Sequence, residues 1–230
     1  MNLDLVFWAD RIDDDESRTA VVIDVLRASS TIITALSNGA QAILPTANIK
    51  AARHKQQQQE NYLIAGERNG VKIADFDLGN SPLNYKKDKV ADRKIILTTS
   101  NGTKCFNHLG NAQEVIIASL LNLDAVVDYL LSKEEVLLCC AGNYGDFAID
   151  DLITAGKIIA RLKDKTEVKV TDKAQAAEEV YLYNQSDLLK ALLDSESGKN
   201  LVDLGYQEDI EYIVKESKEI IPSYQNGIIR

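Results

Sequence analysis

One stretch near the amino terminus, VVIDVLRASST at residues 21–31, constrains the fold of this chain more than any other. Three β-branched or apolar residues lead directly into Asp24, and Arg27 follows three residues later. Next come three hydroxyl side chains, those of Ser29, Ser30 and Thr31. This order predicts a buried strand that presents a carboxylate at its carboxyl end, followed by a helix whose start a hydroxyl caps. Ligands of α/β sheets bind beyond the carboxyl ends of the strands, and helix N-termini favour anions, so the stretch indicates a divalent cation held together with a phosphate.

The same succession of strand, polar turn and helix returns twice. Residues 94–118 read as strand KIILTT, turn SNG, helix TKCFNHLGN and strand AQEVIIA, and residues 135–162 read as EVLLCCAG, NYGD and FAIDDLITAGKIIARL. If these strands lie side by side and parallel, their turns share one edge of the sheet. Residues 20–45 and 94–118 could be a weak internal duplication, or two βαβ units that look alike because both obey the same turn and capping rules. The prediction is a single α/β domain over residues 1–230, with helical additions at 173–220.

Net charge limits the partners of this chain. Its formal charge is −9, whereas binding a nucleic-acid backbone needs clustered Lys and Arg, so the prediction is a partner other than nucleic acid. An anionic ligand must then meet local positive features, for which Arg27, Arg68, helix N-termini and a metal ion are the candidates. The three cysteines have no spacing typical of a disulfide framework or a zinc site.

Two features predict a cytoplasmic protein with no membrane contact. The first twenty residues contain DRIDDDESR where a signal peptide needs an apolar core, and no run approaches the roughly 18 apolar residues of a membrane span. The acidic run of Asp13, Asp14 and Asp15 lacks the preceding strand and the spacing of an aspartyl phosphatase, so a hydrated loop is the favoured interpretation. The sequence is compatible with a homo-oligomer and carries no sign of the oligomeric state.

The first candidate pair for chemistry is Asp24 with Arg27. A strand-end Asp can bind Mg²⁺, which favours carboxylates together with substrate phosphate oxygens, and a guanidinium matches phosphate or carboxylate in shape. A structural Asp–Arg ion pair, with Thr31 capping a helix, explains the same residues and remains open.

A second group of candidates lies between residues 66 and 82. Glu67 and Arg68 follow a glycine in AGERNG, and FDLGNSP supplies Asn80 and Ser81 as uncharged donors or acceptors. An acid–base pair at a strand end suggests a site, although ordinary surface turns have the same composition.

The turn TTSNGT at residues 98–103 is the strongest candidate for anion binding. Its hydroxyl and backbone N–H groups lie between a strand and a helix, where they could hold an oxyanion or could only cap the helix. Further along, GNYGDFAIDDLITAG contributes Asp146, Asp150 and Asp151. Adjacent residues of a helix face different directions, so we expect only one of Asp150 and Asp151 to point at the site. A cysteine phosphatase built on Cys140 would need Arg where Asp146 stands.

Taken together, IDVLRASSTI, GERNG followed by FDLGNSP, TTSNGT, and AG…GD…DD…AG resemble, in this order and at these separations, the 2-phosphosulfolactate phosphatase (ComB) family. The resemblance covers residues 20–160 and extends toward Pro222. It implies a three-layer α/β/α fold with a mixed, largely parallel sheet. It also implies Mg²⁺-dependent hydrolysis of 2-phospho-3-sulfolactate to 3-sulfolactate and phosphate, in coenzyme M biosynthesis. The residues that it places in motif positions are Asp24, Arg27, Glu67, Arg68, Asn80, Ser81, Thr99, Asn101, Gly102, Thr103 and Asp151.

The resulting hypothesis concerns a small polyanionic substrate. Mg²⁺ held by Asp24 and by Glu67, Asp151 or both would bridge phosphate oxygens during an in-line displacement, with Arg27 on the transferring phosphoryl group. Arg68 and the 99–103 turn would hold the carboxylate or sulfonate. Four more residues are substrate-binding candidates: Ser29, Ser30, Asn80 and Ser81.

Several alternatives remain open for this hypothesis. The nucleophile is either metal-bound water or a carboxylate, for which Asp24 is the candidate. The chain could instead be a phosphatase for another 2-hydroxy-acid phosphate, or a non-catalytic binder of small anionic metabolites.

Overall fold

A computed structural model describes residues 1–9, 18–59, 61–109, 112–215 and 217–230. The acidic run of Asp13, Asp14 and Asp15 lies outside the described residues. The strands are β1 (Asn2–Val6), β2 (Thr19–Ile23), β3 (Ala42–Pro45), β4 (Leu63–Arg68), β5 (Val71–Lys72), β6 (Lys94–Thr98), β7 (Glu114–Ala118), β8 (Glu135–Cys140), β9 (Lys169–Val170), β10 (Ser223–Gln225) and β11 (Ile228–Ile229). The helices are α1 (Ala28–Ser37), α2 (Ile49–Gln58), α3 (Lys87–Val90), α4 (Gly102–His108), α5 (Leu123–Leu130), α6 (Ile149–Lys163), α7 (Asp172–Asn184), α8 (Leu188–Asp194), α9 (Glu196–Asp203) and α10 (Gln207–Lys215).

All these strands join one mixed sheet in the order β5-β4-β6-β3-β11-β10-β7-β2-β8-β1-β9. Two groups of parallel strands make up most of it, β4-β6-β3 and β7-β2-β8-β1-β9. The antiparallel hairpin of β10 and β11 joins the groups. The predicted α/β fold with a mixed, largely parallel sheet is confirmed.

Helices cover both faces of the central strand β2, which is buried along its whole length. Val21 and Ile23 face a core that α5, α6 and α7 complete, whereas Ala20 and Val22 face a second core that α1 and α4 complete. Burial on both faces explains why β2 is an unbroken apolar run rather than an alternating one.

The two similar stretches, 20–45 and 94–118, are not βαβ units whose own strands pair. β2 pairs with β7, and β3 pairs with β6, so each of these two parallel pairs takes one strand from each stretch. The other neighbour of β2 is β8, which lies outside both stretches. The reason is that α1 carries the chain from one parallel group to the other, and α4 carries it back. An ancestral duplication stays a prediction.

Turns from the two parallel groups of strands meet at one place. Three antiparallel pairings separate β7 from β3, so on a flat sheet the two parallel groups would direct their carboxyl ends to opposite edges. Gly102, which follows β6, nevertheless lies against Asp24, which follows β2: a Cβ added to Gly102 would lie 2.4 Å from Asp24 Oδ2. Accumulated strand twist explains this contact, and it brings turns from both groups to one place.

None of the helices in the described ranges is both long enough and apolar enough to cross a bilayer.

Candidate active site

A cavity of about 340 Å³ opens where the turns after β2, β4, β6 and β8 meet the first turn of α9. Four acidic side chains from the ends of β2 and β4 and from the start of α6 line the cavity, and each is at most 8% exposed: Asp24, Glu67, Asp150 and Asp151. Of the described residues that line it, Arg27 alone carries a basic side chain. The cavity is therefore small, polar and strongly acidic.

Asp24 caps helix α1. Its Oδ1 accepts a hydrogen bond from the backbone N–H of Ala28 at 3.0 Å, and its backbone carbonyl accepts one from the Ser29 N–H. The predicted hydroxyl cap is therefore wrong: α1 begins at Ala28, so the hydroxyl residues lie within its first turns. The carboxylate of Asp24 does the capping because it stands closer to the free N–H groups of that turn.

Asp151 joins two of the turns. Its Oδ1 accepts from the backbone N–H of Val25 at 2.8 Å, and its Oδ2 accepts from the N–H of Gly142 at 3.1 Å. Asp150, the adjacent residue, also lines the cavity and hydrogen bonds with Ser197 of α9. The expectation that only one of the two would face the site is wrong, because both belong to the first turn of α6, where the chain enters the helix along the cavity wall.

Burial and mutual repulsion raise the pKa values of these acids. Burial raises the pKa of Asp24 to about 7, and the charges of Asp150 and Glu67 add to the shift. The pKa of Asp150 rises to about 6, mainly through burial, with Glu196 adding repulsion. Burial, then the charges of Asp150 and Asp24, raises the pKa of Asp151 well above its usual range. The surroundings therefore favour the protonated forms of these three groups, and a cation in the cavity would favour the ionised forms.

Glu67 ties the end of β4 to the turn after β6. Its Oε1 accepts from the backbone N–H of Ser100 at 2.7 Å, and its Oε2 accepts from the N–H of Gly70 at 2.8 Å. Arg68 points elsewhere, because its guanidinium donates to the Glu67 carbonyl and to Thr98 Oγ1. Arg68 is not among the residues that line the cavity, so its substrate-binding role stays a prediction.

Arg27 is buried and held on several sides. One guanidinium nitrogen donates to Asp209 Oδ2 at 2.6 Å, and the other donates to the Gly70 carbonyl at 2.9 Å. The guanidinium carbon lies 4.3 Å from the centre of the Tyr206 ring. The open alternative of an Asp24–Arg27 ion pair is wrong, because the carboxylate that pairs with Arg27 is that of Asp209.

The turn after β6 contributes mainly Ser100 and Asn101 to the cavity wall. Asn101 Nδ2 donates to Asn143 Oδ1 at 3.3 Å, and its Oδ1 accepts from the Tyr144 N–H. Thr99 and Thr103 hydrogen bond to each other and cap α4 from the buried side. The structure thus shows the helix capping, whereas the substrate-binding roles of Thr99, Asn101, Gly102 and Thr103 stay predictions.

Several predicted substrate-binding hydroxyls make internal hydrogen bonds and do not line the cavity. Ser29 Oγ accepts from the Asp24 N–H, and Ser30 Oγ donates to the Val25 carbonyl. Ser81 Oγ donates to Asp209 Oδ1 at 2.7 Å. Asn80 does line the cavity, and its buried Oδ1 has no hydrogen-bond partner. The substrate-binding roles of these residues stay predictions.

Comparison with known proteins supplies the family. The family model described as 2-phosphosulpholactate phosphatase matches residues 7–227. A probable 2-phosphosulfolactate phosphatase of Thermotoga petrophila is 45% identical over 93% of this chain and 92% of its own. One of Clostridium tetani is 39% identical over the full length of both chains. The chain belongs to the 2-phosphosulfolactate phosphatase family. This membership confirms the sequence resemblance and the enzyme class, phosphoric monoester hydrolase.

The donors of this 2-phosphosulfolactate phosphatase family member fit a Mg²⁺ ion that shares its coordination with a ligand. Within the described ranges no three His, Cys, Asp or Glu side chains form a complete metal-ligand group. Mg²⁺ does not need one, since it is commonly bound through one or two carboxylates, waters and substrate phosphate oxygens. Asp24 Oδ2 and the unpartnered Asn80 Oδ1 offer oxygen donors in an acidic cavity, which is the chemistry that this ion prefers.

The sequence interpretation missed the part of the site that comes from the carboxyl-terminal helices. Glu196 and Ser197 of α9 line the cavity, and Asp209 and Tyr206 hold Arg27 from its far side. The only available signal was the stretch SGKNLVDLGYQEDIEY, in which the spacing of the residues does not indicate which of them belongs to a site.

Proposed function

We propose that this chain hydrolyses 2-phospho-3-sulfolactate to 3-sulfolactate and inorganic phosphate with the help of Mg²⁺, as a step of coenzyme M biosynthesis. The names of its relatives support this substrate, since they are described as probable 2-phosphosulfolactate phosphatases. The size and polarity of the cavity support a small, highly charged ligand.

The observation that carries the proposal is the charge of the cavity. Four buried carboxyl groups line it, and a bound cation would favour the ionised forms of the three whose pKa values are raised. Among the described residues of the lining, the one guanidinium is already paired with Asp209. A substrate with phosphate, carboxylate and sulfonate groups would be repelled from such a cavity unless a cation accompanied it. A divalent cation offsets the charge of the carboxylates and of the phosphate together.

Asp24 is the first candidate to hold the ion, with Glu67 or Asp151 as a second carboxylate ligand. Glu67 Oε1 and both oxygens of Asp151 each accept one backbone hydrogen bond, and a carboxylate oxygen has a second lone pair for a cation. Glu67 Oε2 accepts two hydrogen bonds, from the Gly70 N–H and the Ser100 hydroxyl, so Oε1 is the oxygen of Glu67 that remains for the ion. Asp150 stands beside them on the wall of the cavity. When bound, the ion would neutralise charge on the phosphate oxygens and so lower the barrier to displacement.

Arg27 is proposed to stabilise the transferring phosphoryl group. A guanidinium has five N–H donors, of which the contacts to Asp209 and Gly70 use two, so donors remain for phosphate oxygens. Because the side chain is almost fully buried, its hydrogen bonds to an anion are stronger than they would be in water.

The reaction breaks the bond between phosphorus and the C2 ester oxygen. An oxygen nucleophile attacks phosphorus from the opposite side, and the departing oxygen takes up a proton to become the hydroxyl of 3-sulfolactate. The nucleophile is either water or the Asp24 carboxylate, which would form an acyl phosphate that water then hydrolyses. Both routes yield one 3-sulfolactate and one phosphate for each water consumed.

Phosphate release from a panel of 2-hydroxy-acid phosphates tests the proposal. We expect kcat/KM for 2-phospho-3-sulfolactate to be at least about 10-fold above that for 2-phospholactate. The second compound lacks the sulfonate, so the protein groups that bind the sulfonate would be left unpaired. Chelation should abolish the activity, and added Mg²⁺ should restore it. The variant Asp24→Asn, purified in the same way, controls for contaminating phosphatases. Equal rates on all panel members, or full activity in excess chelator, would refute the proposed substrate or the proposed metal, respectively.

A further inference from the structure

We infer that Asp209 of α10 is a positioning residue, which orients the guanidinium of Arg27 at the wall of the cavity. The inference rests on the proposed function, in which Arg27 contacts the phosphoryl group. Asp209 itself is not among the residues that line the cavity, so it acts through Arg27.

The contact between the two side chains is short and shielded from water. Asp209 Oδ2 lies 2.6 Å from a guanidinium nitrogen of Arg27, and each side chain is 2% exposed. The other carboxylate oxygen, Oδ1, accepts a hydrogen bond from Ser81 at 2.7 Å. Both oxygens of Asp209 are thus engaged, one by the arginine and one by the segment that follows Asn80.

Two further contacts complete the surroundings of Arg27. Tyr206, three residues before Asp209, places its ring 4.3 Å from the guanidinium carbon, and the Gly70 carbonyl accepts from the second terminal nitrogen at 2.9 Å. Two separate parts of the chain therefore fix one guanidinium through three contacts, and α10 with the residue before it supplies two of them. The planar group has little freedom to rotate, which is the requirement for a preorganised contact to phosphate.

Stability alone does not account for this pair. A buried ion pair costs much of its attraction in desolvation, and apolar residues of similar volume are often as stable. The location of the pair points to orientation instead. Arg27 stands in a cavity with Asp24 and Glu67, and a free guanidinium there would be drawn to one of those carboxylates. Pairing with Asp209 keeps Arg27 from occupying the groups that are proposed to hold the ion.

A comparison of Asp209→Asn, Arg27→Ala and the double variant tests the inference. Asparagine keeps the shape of the side chain and removes its charge. We expect kcat/KM to fall about 100-fold in Asp209→Asn, mainly through kcat, because a misplaced contact costs that much. We expect kcat/KM to fall about 1,000-fold in Arg27→Ala, and to fall no further in the double variant. Glu208→Gln removes a neighbouring exposed charge from the same helix and should leave kcat/KM unchanged.

Added guanidinium separates orientation from a merely structural role. Millimolar guanidinium should restore part of the activity of Arg27→Ala, because Asp209 can still bind and orient it. It should not restore the double variant. Three results would overturn the inference. The first is a wild-type kcat/KM in Asp209→Asn. The second is a loss from Asp209→Asn that is as large in Arg27→Ala as in wild type, and the third is equal rescue by guanidinium of Arg27→Ala and the double variant.

Binding of inorganic phosphate, measured by calorimetry in the presence of Mg²⁺, distinguishes failure of the inference from failure of the proposed function. If wild-type protein did not hydrolyse 2-phospho-3-sulfolactate, the proposed function would be wrong, whatever Asp209 does. A phosphate affinity that fell in Asp209→Asn and Arg27→Ala, with no additional loss in the double variant, would then still support the positioning role. A phosphate affinity equal in all four proteins would refute it.

Discussion

Replacing Asp24 with Asn is expected to lower kcat/KM by at least about 1,000-fold without disturbing the fold. Asn keeps an oxygen that can accept the Ala28 N–H at the start of α1, so the cap survives. The substitution removes the charge on which both the metal and the alternative covalent route depend. Steady-state phosphate release, together with circular dichroism of the same preparation, measures the two effects.

The same substitution should make the metal-free protein more stable at high pH. The folded protein holds the proton of Asp24 more tightly than the unfolded chain, since the pKa is about 7 against an ordinary value of 3.8. Stability is therefore lost as the pH rises from about 4 through 7, and an Asn avoids this loss. The melting temperature of Asp24→Asn should match that of wild type near pH 4 and exceed it near pH 8.

The exposed residue Asp88 of α3 provides a matched control. Asp88→Asn removes one negative charge outside the lining of the cavity and should leave kcat/KM unchanged. Near-normal turnover by Asp24→Asn would exclude Asp24 from the chemistry. If the difference in melting temperature between Asp24→Asn and wild type were the same at every pH, the pKa of the Asp24 carboxyl would not be raised.

Gly102→Ala is expected to lower kcat/KM by about 100-fold. A Cβ at this position would lie 2.4 Å from Asp24 Oδ2 and 2.7 Å from the Ala28 Cβ, both shorter than any real contact of that kind. The start of α1 fixes Ala28, so the Asp24 carboxylate or the turn after β6 must move. Such a shift displaces the proposed metal ligand from its productive position.

Gly205→Ala is the control for Gly102→Ala, because its added Cβ would meet no atom within 4 Å, although its φ of +80° disfavours alanine. We expect Gly205→Ala to lose some stability and to keep its activity. If Gly102→Ala kept wild-type kcat/KM, the close approach of the two turns would be irrelevant to catalysis.

Local patterns made much of the sheet predictable. The apolar run before Asp24 predicted β2, and the strand–turn–helix order predicted β6, β8 and the helices that follow them. The exchange of strands between the two similar stretches was not predictable, because pairing partners depend on packing between distant segments. The hairpin of β10 and β11 was missed for the same reason: its strands are only a few residues long and pair with strands far along the chain.

The site was predictable where its residues lie at the end of a strand or in the segment that leads from it into a helix. Asp24, Glu67, Asn101 and Asp151 meet at one cavity, as expected for turns at strand ends. Asp209 was beyond the reach of such reasoning, because a single carboxylate on an amphipathic helix looks like any solvated charge until its burial is known. Asp150 was misjudged because helical periodicity applies poorly to the first turn, where the chain enters from the site.

The most direct test is a crystal structure of the protein with Mn²⁺ and phosphate, measured with anomalous scattering from manganese. We expect a manganese peak in the cavity about 2.0–2.2 Å from an oxygen of Asp24, with one phosphate between the ion and Arg27. A phosphate bound beside Arg27 with no manganese peak in the cavity, or both ions bound elsewhere on the protein, would contradict it.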